Sequence, residues 1–206
     1  DGGGSILNSF IDKLYQNFIE KDRYMYLVKG FGNTVMITLL AVVIGIVLGF
    51  LIAVVRSTHD KHGGLKFLNA LCHVYLTIIR GTPTVVQLMI MFYIVLASVN
   101  NKIVVASIAF GLNSAAYVAE IVRSDIMSID EGQFEAGRSL GLNYGQTMRL
   151  IIMPQAFKNV LPALVNEFIT LLKETSVSGY IGIMDLTRGA DIIRSGTYEA
   201  FIPLFS

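Results

Sequence analysis

The stretch Asp130–Pro154, DEGQFEAGRSLGLNYGQTMRLIIMP, decides how the rest of the chain is read. It is a polar, helix-forming island between hydrophobic segments. Asp130 followed by Gln133, and Asn143 followed by Gln146, each carry the spacing of a capping box. Two short helices are therefore expected, one closing at Gly141 and one opening just after it. Neither is long or apolar enough to cross a bilayer, which takes about 20 apolar residues. The pattern predicts a structured elbow at the membrane surface, open to solvent on one side and suited to docking another protein.

Composition places this elbow in a membrane. Of the 206 residues only 15% are charged and 53% are hydrophobic, against about 25% charged in soluble domains. A net charge of +1 gives no hint of nucleic-acid binding. The single cysteine, Cys72, cannot form an internal disulfide, and no spacing signals a metal centre. His59 and His62 lack a supporting carboxylate or cysteine arrangement and read as a solvated loop. No Gly-rich phosphate loop ending in Gly-Lys-Ser/Thr occurs, and no Ser/His/Asp order, so catalysis by this chain is not expected.

Within the elbow, Glu135-Ala136-Gly137 is followed by Gly141 and then by Ile151, Met153 and Pro154. This spacing resembles the Glu-Ala-Ala loop of the integral membrane subunits of bacterial ATP-binding-cassette importers. Gly137 stands where a second alanine is commoner and Met153 where leucine is commoner. The segments Arg80-Gly81-Thr82-Pro83 with Val86-Gln87-Leu88, NSAAYVAEIVRS from Asn113, and LTRGADI from Leu186 are similar to the polar amino-acid branch of that family.

The resemblance implies an all-α membrane protein with the type I importer transmembrane domain. About five spans are expected in a bacterial cytoplasmic membrane, the last cut short. It also implies that residues 124–157 form the cytoplasmic coupling loop, with Glu135, Ala136, Gly137, Gly141, Ile151 and Pro154 as the ATPase-coupling positions. The implied partners are a separate ATPase subunit, which uses ATP and Mg while this chain binds neither, and an extracellular solute-binding protein that could be fused upstream. A second permease copy or paralogue, membrane lipid and a polar amino-acid substrate complete the set.

Taken in order, residues 1–29 place Ile6, Phe10, Leu14 and Phe18 at helical spacing among charges, which fits an interfacial amphipathic helix or a plain surface helix of a neighbouring domain. Residues 30–206 form the transmembrane domain. Gly30–Val55 carries no charge and reaches roughly 39 Å as a helix, so it is the first span. Its Gly45 and Gly49 form a GxxxG face, open to close helix packing or to chance. Arg56, His59, Lys61, His62 and Lys66 then argue weakly for the cytoplasm, because the other flank is nearly as basic. Leu65–Ile79 reads as a helix skimming or entering that face, and Thr84–Val99 as the second span, tilted by the Gly-Pro break. Ile103–Ala119 is the third and Ala156–Met184 the fourth, while Phe201–Ser206 reads as the stump of a further one. Both ends of the chain look cut.

Polar residues interrupt the third and fourth spans. Asn113, Tyr117, Glu120 and Ser124 share one helical face, and so do Asn166, Thr170 and Lys173, with Glu167 and Glu174 beside them. Such groups are costly in lipid and face protein or water. Our expectation is that Asn113, Tyr117, Glu120, Asn166, Thr170, Lys173 and Glu174 line a path for a solute bearing both an ammonium and a carboxylate. Helix-to-helix glue for Asn113 and Ser114, pairing of Glu120 with Arg123, and an ion network of Glu167, Lys173 and Glu174 are the structural alternatives. Asp185, Arg188, Asp191 and Arg194 are candidate outer contacts. An importer for an opine or cystine-like solute, and a self-sufficient channel or secondary transporter, stand as alternative functions; the last predicts an internal repeat, and none is visible.

Overall fold

The computed structural model describes residues 2–198, and no strand occurs among them. Helix α1 (Gly2–Leu14) passes through a π turn (Tyr15–Ile19) and a short 3-10 turn (Glu20–Asp22) into α2. Phe10 and Ile11 of α1 and Tyr15 and Ile19 of the π turn are each more than half exposed. Asn17, wholly buried, is held by donating to the Lys13 carbonyl at 2.7 Å and accepting from Thr197 Oγ1 at 2.7 Å.

Helix α2 (Tyr24–His62) is uncharged from Gly30 to Val55 with no distinct polar face, and it closes at Gly63, which adopts the left-handed conformation. It packs along α5 (Lys102–Ser128), whose first turn is capped by Asn101 accepting from the amides of Ile103 and Val104. The close approach has a steric reason. A Cβ on Gly45 would stand 2.7 Å from Ser114 Oγ, and one on Gly49 would stand 2.6 Å from Val118 Cγ1. On the other side, a Cβ on Gly111 would meet Ile44 Cβ at 2.7 Å. The glycine pair of α2 is thus a packing face and not a chance occurrence.

These two are the helices both long and apolar enough to cross a membrane among the described residues. A third crossing is added if α3 (Lys66–Gly81) and α4 (Thr84–Ile90, prolonged by a π turn over Met91–Val95) form one broken span, bent by 112°. Pro83 opens the second piece, and Thr82 is extended as a residue preceding proline prefers.

Helix α8 (Met153–Glu174) carries Pro162 in its interior. The segment Ala156–Met184, expected as one span, is not one helix. Its end tightens into a 3-10 turn (Thr175–Ile181), where Thr175 bonds back to the Leu172 carbonyl and Gly182 turns left-handed. Helix α9 (Leu186–Thr197) follows and lies on the first part of α2. There Asn33 Nδ2 donates to the Met184 carbonyl at 2.9 Å, and the Leu186 amide donates to Thr34 Oγ1 at 3.3 Å. The Phe201–Ser206 run lies outside the described residues.

One core cluster joins Ala53 of α2 and Val122 and Ile126 of α5 to Phe134, Met148, Ile152 and Ala156. The elbow therefore shares its hydrophobic interior with the helices it hangs from. A second cluster, toward the opposite end, gathers Ile37, Ala41, Leu88, Phe110, Leu171 and Ile181.

Candidate functional site: the surface elbow and the polar interior

The elbow is two short helices, α6 (Glu131–Ser139) and α7 (Tyr144–Thr147), the latter running through a π turn (Met148–Ile152) into α8. Asp130 caps α6 by accepting from the Gly132 amide at 2.6 Å. Gln133, expected to complete that box, instead accepts from Gln155 at 3.4 Å. At Asn143 both halves of the box form, each bond at 2.9 Å.

Between the helices Gly141 is left-handed, with φ +78. The Leu142 amide donates to the Gly137 carbonyl at 3.0 Å and the Gly141 amide to Arg138 at 2.9 Å, the paired bonds of a Schellman cap. Gly137 also has a packing reason, because a Cβ there would fall 2.5 Å from Thr147 Oγ1. An alanine at this position would push α6 off α7.

The elbow has two sides. Phe134 and Gly137 are buried, as are Thr147, Met148 and Ile152 behind them, whereas Glu135, Ala136 and Pro154 are exposed and Leu140 is 75% exposed. Ile151 is half-buried. Phe134 stacks on Tyr144 with ring centres 6.0 Å apart, and Lys61 at the end of α2 places its ammonium 3.7 Å from the Phe134 ring centre. Burial pushes the Tyr144 hydroxyl above its ordinary pKa, with a Thr58 hydrogen bond acting in the opposite sense. Beside the rings opens a cleft of about 430 Å³ lined by Asp60, Lys61, Glu131, Glu135, Arg138 and Tyr144, among others. Lys61 was legible only as part of a basic loop; its role as a ring partner depends on how α2 ends against α6.

In the interior, Asn113 is buried, and its amide donates to Gln87 Oε1 at 3.0 Å. Gln87 Nε2 in turn donates to the carbonyls of Ile79 and Thr82, at 2.6 and 2.9 Å, so it satisfies groups freed by the α3–α4 break. Ser114 donates to Glu167 at 2.8 Å, which sets the pair 113–114 of α5 level with 166–167 of α8. Glu174 is half-buried one further stretch along that helix. Asn166 and Lys173 are exposed and Thr170 is bonded to the Asn166 carbonyl at 3.0 Å. No hydrogen bond joins this stripe directly to Asn113 among the described residues.

Tyr117 is 38% exposed, with the Arg80 guanidinium 5.9 Å from its ring centre. Glu120 is held by Arg56 and, at 3.4 Å, by Arg123. In the sequence Arg56 reads only as the first of the basic residues after the first span; its pairing with Glu120 depends on the fold, which brings the end of α2 beside α5. Asp185, a candidate outer contact, is instead fully buried. It caps α9 by accepting from the Arg188 amide at 2.7 Å and takes a bond from Ser178 at 3.0 Å. Arg188 donates to the Gly179 carbonyl at 3.0 Å and Arg194 pairs with Asp191 at 3.1 Å.

Comparison with known proteins agrees with this architecture. The arginine transport system permease protein ArtQ of Bacillus subtilis (strain 168) is 37% identical over 182 residues, 87% of this chain and 81% of that protein. A Rickettsia prowazekii (strain Madrid E) protein, provisionally named a glutamine transport system permease, is 36% identical over 185 residues, 88% of this chain and 83% of its own length. The L-cystine transport system permease protein TcyB of Bacillus subtilis (strain 168) is 33% identical over 191 residues, covering 92% and 80%.

Among solved structures, the crystal structure of an amino acid ABC transporter with histidines superposes with a TM-score of 0.78. It is 41% identical, over 90% of this chain and 86% of that one. The fold is accordingly the all-α transmembrane fold of the type I importers. Residues 45–204 match the description "Binding-protein-dependent transport system inner membrane component". With its docking elbow, its interlocked apolar helices and this shared sequence, the chain belongs to the family of binding-protein-dependent inner-membrane transport components.

Proposed function

We propose that this permease moves a polar amino acid across the cytoplasmic membrane by alternating access, driven by a separate ATPase subunit that seats on the α6–Gly141–α7 elbow. The observation that carries the proposal is the two-sidedness of the elbow: Phe134 is built into the core cluster shared with α2, α5 and α8 and Gly137 is buried against Thr147, while Glu135, Ala136 and Leu140 stand open. A push on the open side reaches α2, α5 and α8 through one continuous hydrophobic cluster. Gly141 and the Ile151–Pro154 segment set the angle at which that push arrives.

On this reading ATP and Mg are bound by the partner, and this chain binds neither. A solute-binding protein delivers substrate on the other side of the membrane, and a second permease copy or paralogue completes the route. Asn113, Tyr117, Glu120, Asn166, Thr170, Lys173 and Glu174 offer it donors, acceptors and both signs of charge, the set that a zwitterion needs once its water is stripped. The names of the arginine, glutamine and cystine relatives favour an amino-acid solute, and the cystine relative keeps a cystine-like substrate as the second reading.

The test is reconstitution of the complex with its ATPase and binding protein, and uptake from a panel of amino acids. ATP-dependent uptake that is lost with Glu135→Lys or Gly141→Val, together with ATPase co-purification, supports the proposal. Uptake indifferent to ATP, or an ATPase that binds both variants as it binds wild type, refutes it.

A further inference from the structure

The charges at the ends of α2 and α3 and the last turns of α5 converge without balancing. Glu120 Oε1 is taken by Arg56 and Oε2 by Arg123, and Arg80 stands third, 3.8 Å from the oxygen that Arg56 already holds. Arg123 is also held by Asp60 at 2.9 Å. Three guanidiniums thus share two carboxylates. The Nε atoms of Arg56 and Arg123 are buried with no hydrogen-bond partner among the described residues. Arg80 is 47% exposed in its side chain and has no closer anion among them. Surplus positive charge at a partly buried site is unfavourable unless an anion joins it.

Arg56, Arg80 and Glu120 line, with His73, Leu76 and Thr77, a cavity of about 180 Å³. Arg56 ends the uncharged run of α2, so the cavity lies at the depth of lipid headgroups on the elbow's side of the membrane. Its rim is not uniformly polar. His73, Thr77 and Arg80 recur at helical spacing on α3, and on the adjoining face Leu71, Val74 and Ile78 are 54 to 57% exposed. The surface therefore passes from a cationic cavity directly to an apolar helix face.

We propose that this cavity binds the phosphate headgroup of an anionic phospholipid from the leaflet on the elbow's side, with an acyl chain along Leu71, Val74 and Ile78. A phosphodiester supplies the missing charge and enough acceptors for several guanidinium donors at once. Its acyl chains cover the apolar face that a free phosphate leaves bare. A zwitterionic lipid brings its own ammonium and does not neutralise the surplus, whereas basic pockets between membrane helices take anionic headgroups. The inference goes beyond the transport reading and rests only on the chain lying in a membrane. Its readout is lipid binding, so it stands or fails separately from uptake.

The experiment uses the complete transporter complex in neutral detergent, titrated separately with phosphatidylglycerol, phosphatidylcholine and inorganic phosphate. Thermal unfolding and native mass spectrometry are the readouts. Phosphatidylglycerol is expected to raise the unfolding temperature and to remain bound, with the other two inert. Arg80→Gln is expected to weaken phosphatidylglycerol about tenfold or more, the loss of one charge-assisted contact, and Lys158→Gln to leave it unchanged. If Arg80→Gln does not assemble, Ile78→Gln keeps every ion pair and is expected to weaken phosphatidylglycerol retention. Equal retention by wild type and the assembled variant, or equal stabilisation by phosphatidylcholine or by phosphate alone, overturns the proposal.

Discussion

Gln87 and Asn113, on helices α4 and α5, are joined by one buried hydrogen bond of 3.0 Å, and the same glutamine seals the broken turn between α3 and α4. A single side chain therefore both repairs the backbone at Pro83 and pins the repair to the neighbouring span. Polar satisfaction at the break thus adds to the apolar packing of Leu76 and Leu88 on α5 in holding the 112° bend.

Breaking either partner should be felt, and breaking both should not cost twice. Asn113→Leu and Gln87→Leu are each expected to lower stability by about 1–3 kcal/mol, since each strands a buried polar group. The double variant is expected to cost less than the sum, because the pair is lost only once. Chemical unfolding of the four proteins in detergent measures this; strictly additive losses would show that the bond carries no coupling. Uptake by assembled Asn113→Leu is expected to fall if Asn113 also lines the solute route.

Glycines that touch and glycines that do not should separate cleanly. Gly49→Ala inserts a methyl 2.6 Å from Val118 Cγ1 and is expected to cost about 1–3 kcal/mol of overpacking. Gly32 has nothing within 4 Å, so Gly32→Ala is expected to stabilise α2 by about 0.5–1 kcal/mol through helix propensity. Thermal melts of the two single variants decide the matter.

Gly141 tests the elbow's angle. Its left-handed backbone disfavours any side chain, at about 1–2 kcal/mol, with asparagine the mildest replacement. Uptake and ATPase association are expected to decline in the order glycine, asparagine, alanine, valine. A flat response across that series would mean that the turn does not set the docking geometry.

Glu120→Gln removes the carboxylate that Arg56 and Arg123 share. These groups are partly buried, between the exposed and the fully buried cases, so a loss of about 1–3 kcal/mol is expected. The difference from wild type should narrow in high salt, where the remaining guanidiniums are screened. Unfolding at low and high salt provides the check.

The elbow was the most legible feature of the sequence, because capping chemistry is local: Asp130, Asn143 with Gln146, and Gly141 each act within a few residues. The two long apolar helices were legible from length alone, although α5 runs nine residues past the expected Ala119, its polar last turns being helical all the same. What the sequence could not reveal was pairing across elements. Lys61 with Phe134, Ser114 with Glu167 and Arg56 with Glu120 lie 73, 53 and 64 positions apart, and no local rule links them. Asp185 misled for a related reason: an aspartate before an amphipathic stretch looks solvent-facing until α9 is laid against α2.

The teeth and notches between α2 and α5 limit how the molecule can rearrange. Ile44 sits in the gap left by Gly111, and Ser114 and Val118 sit in those left by Gly45 and Gly49. Sliding either helix along the other by one residue would drive a branched side chain onto a filled position, so the two form a single stave. Opening and closing then leaves the register between these two helices unchanged and moves them as one body.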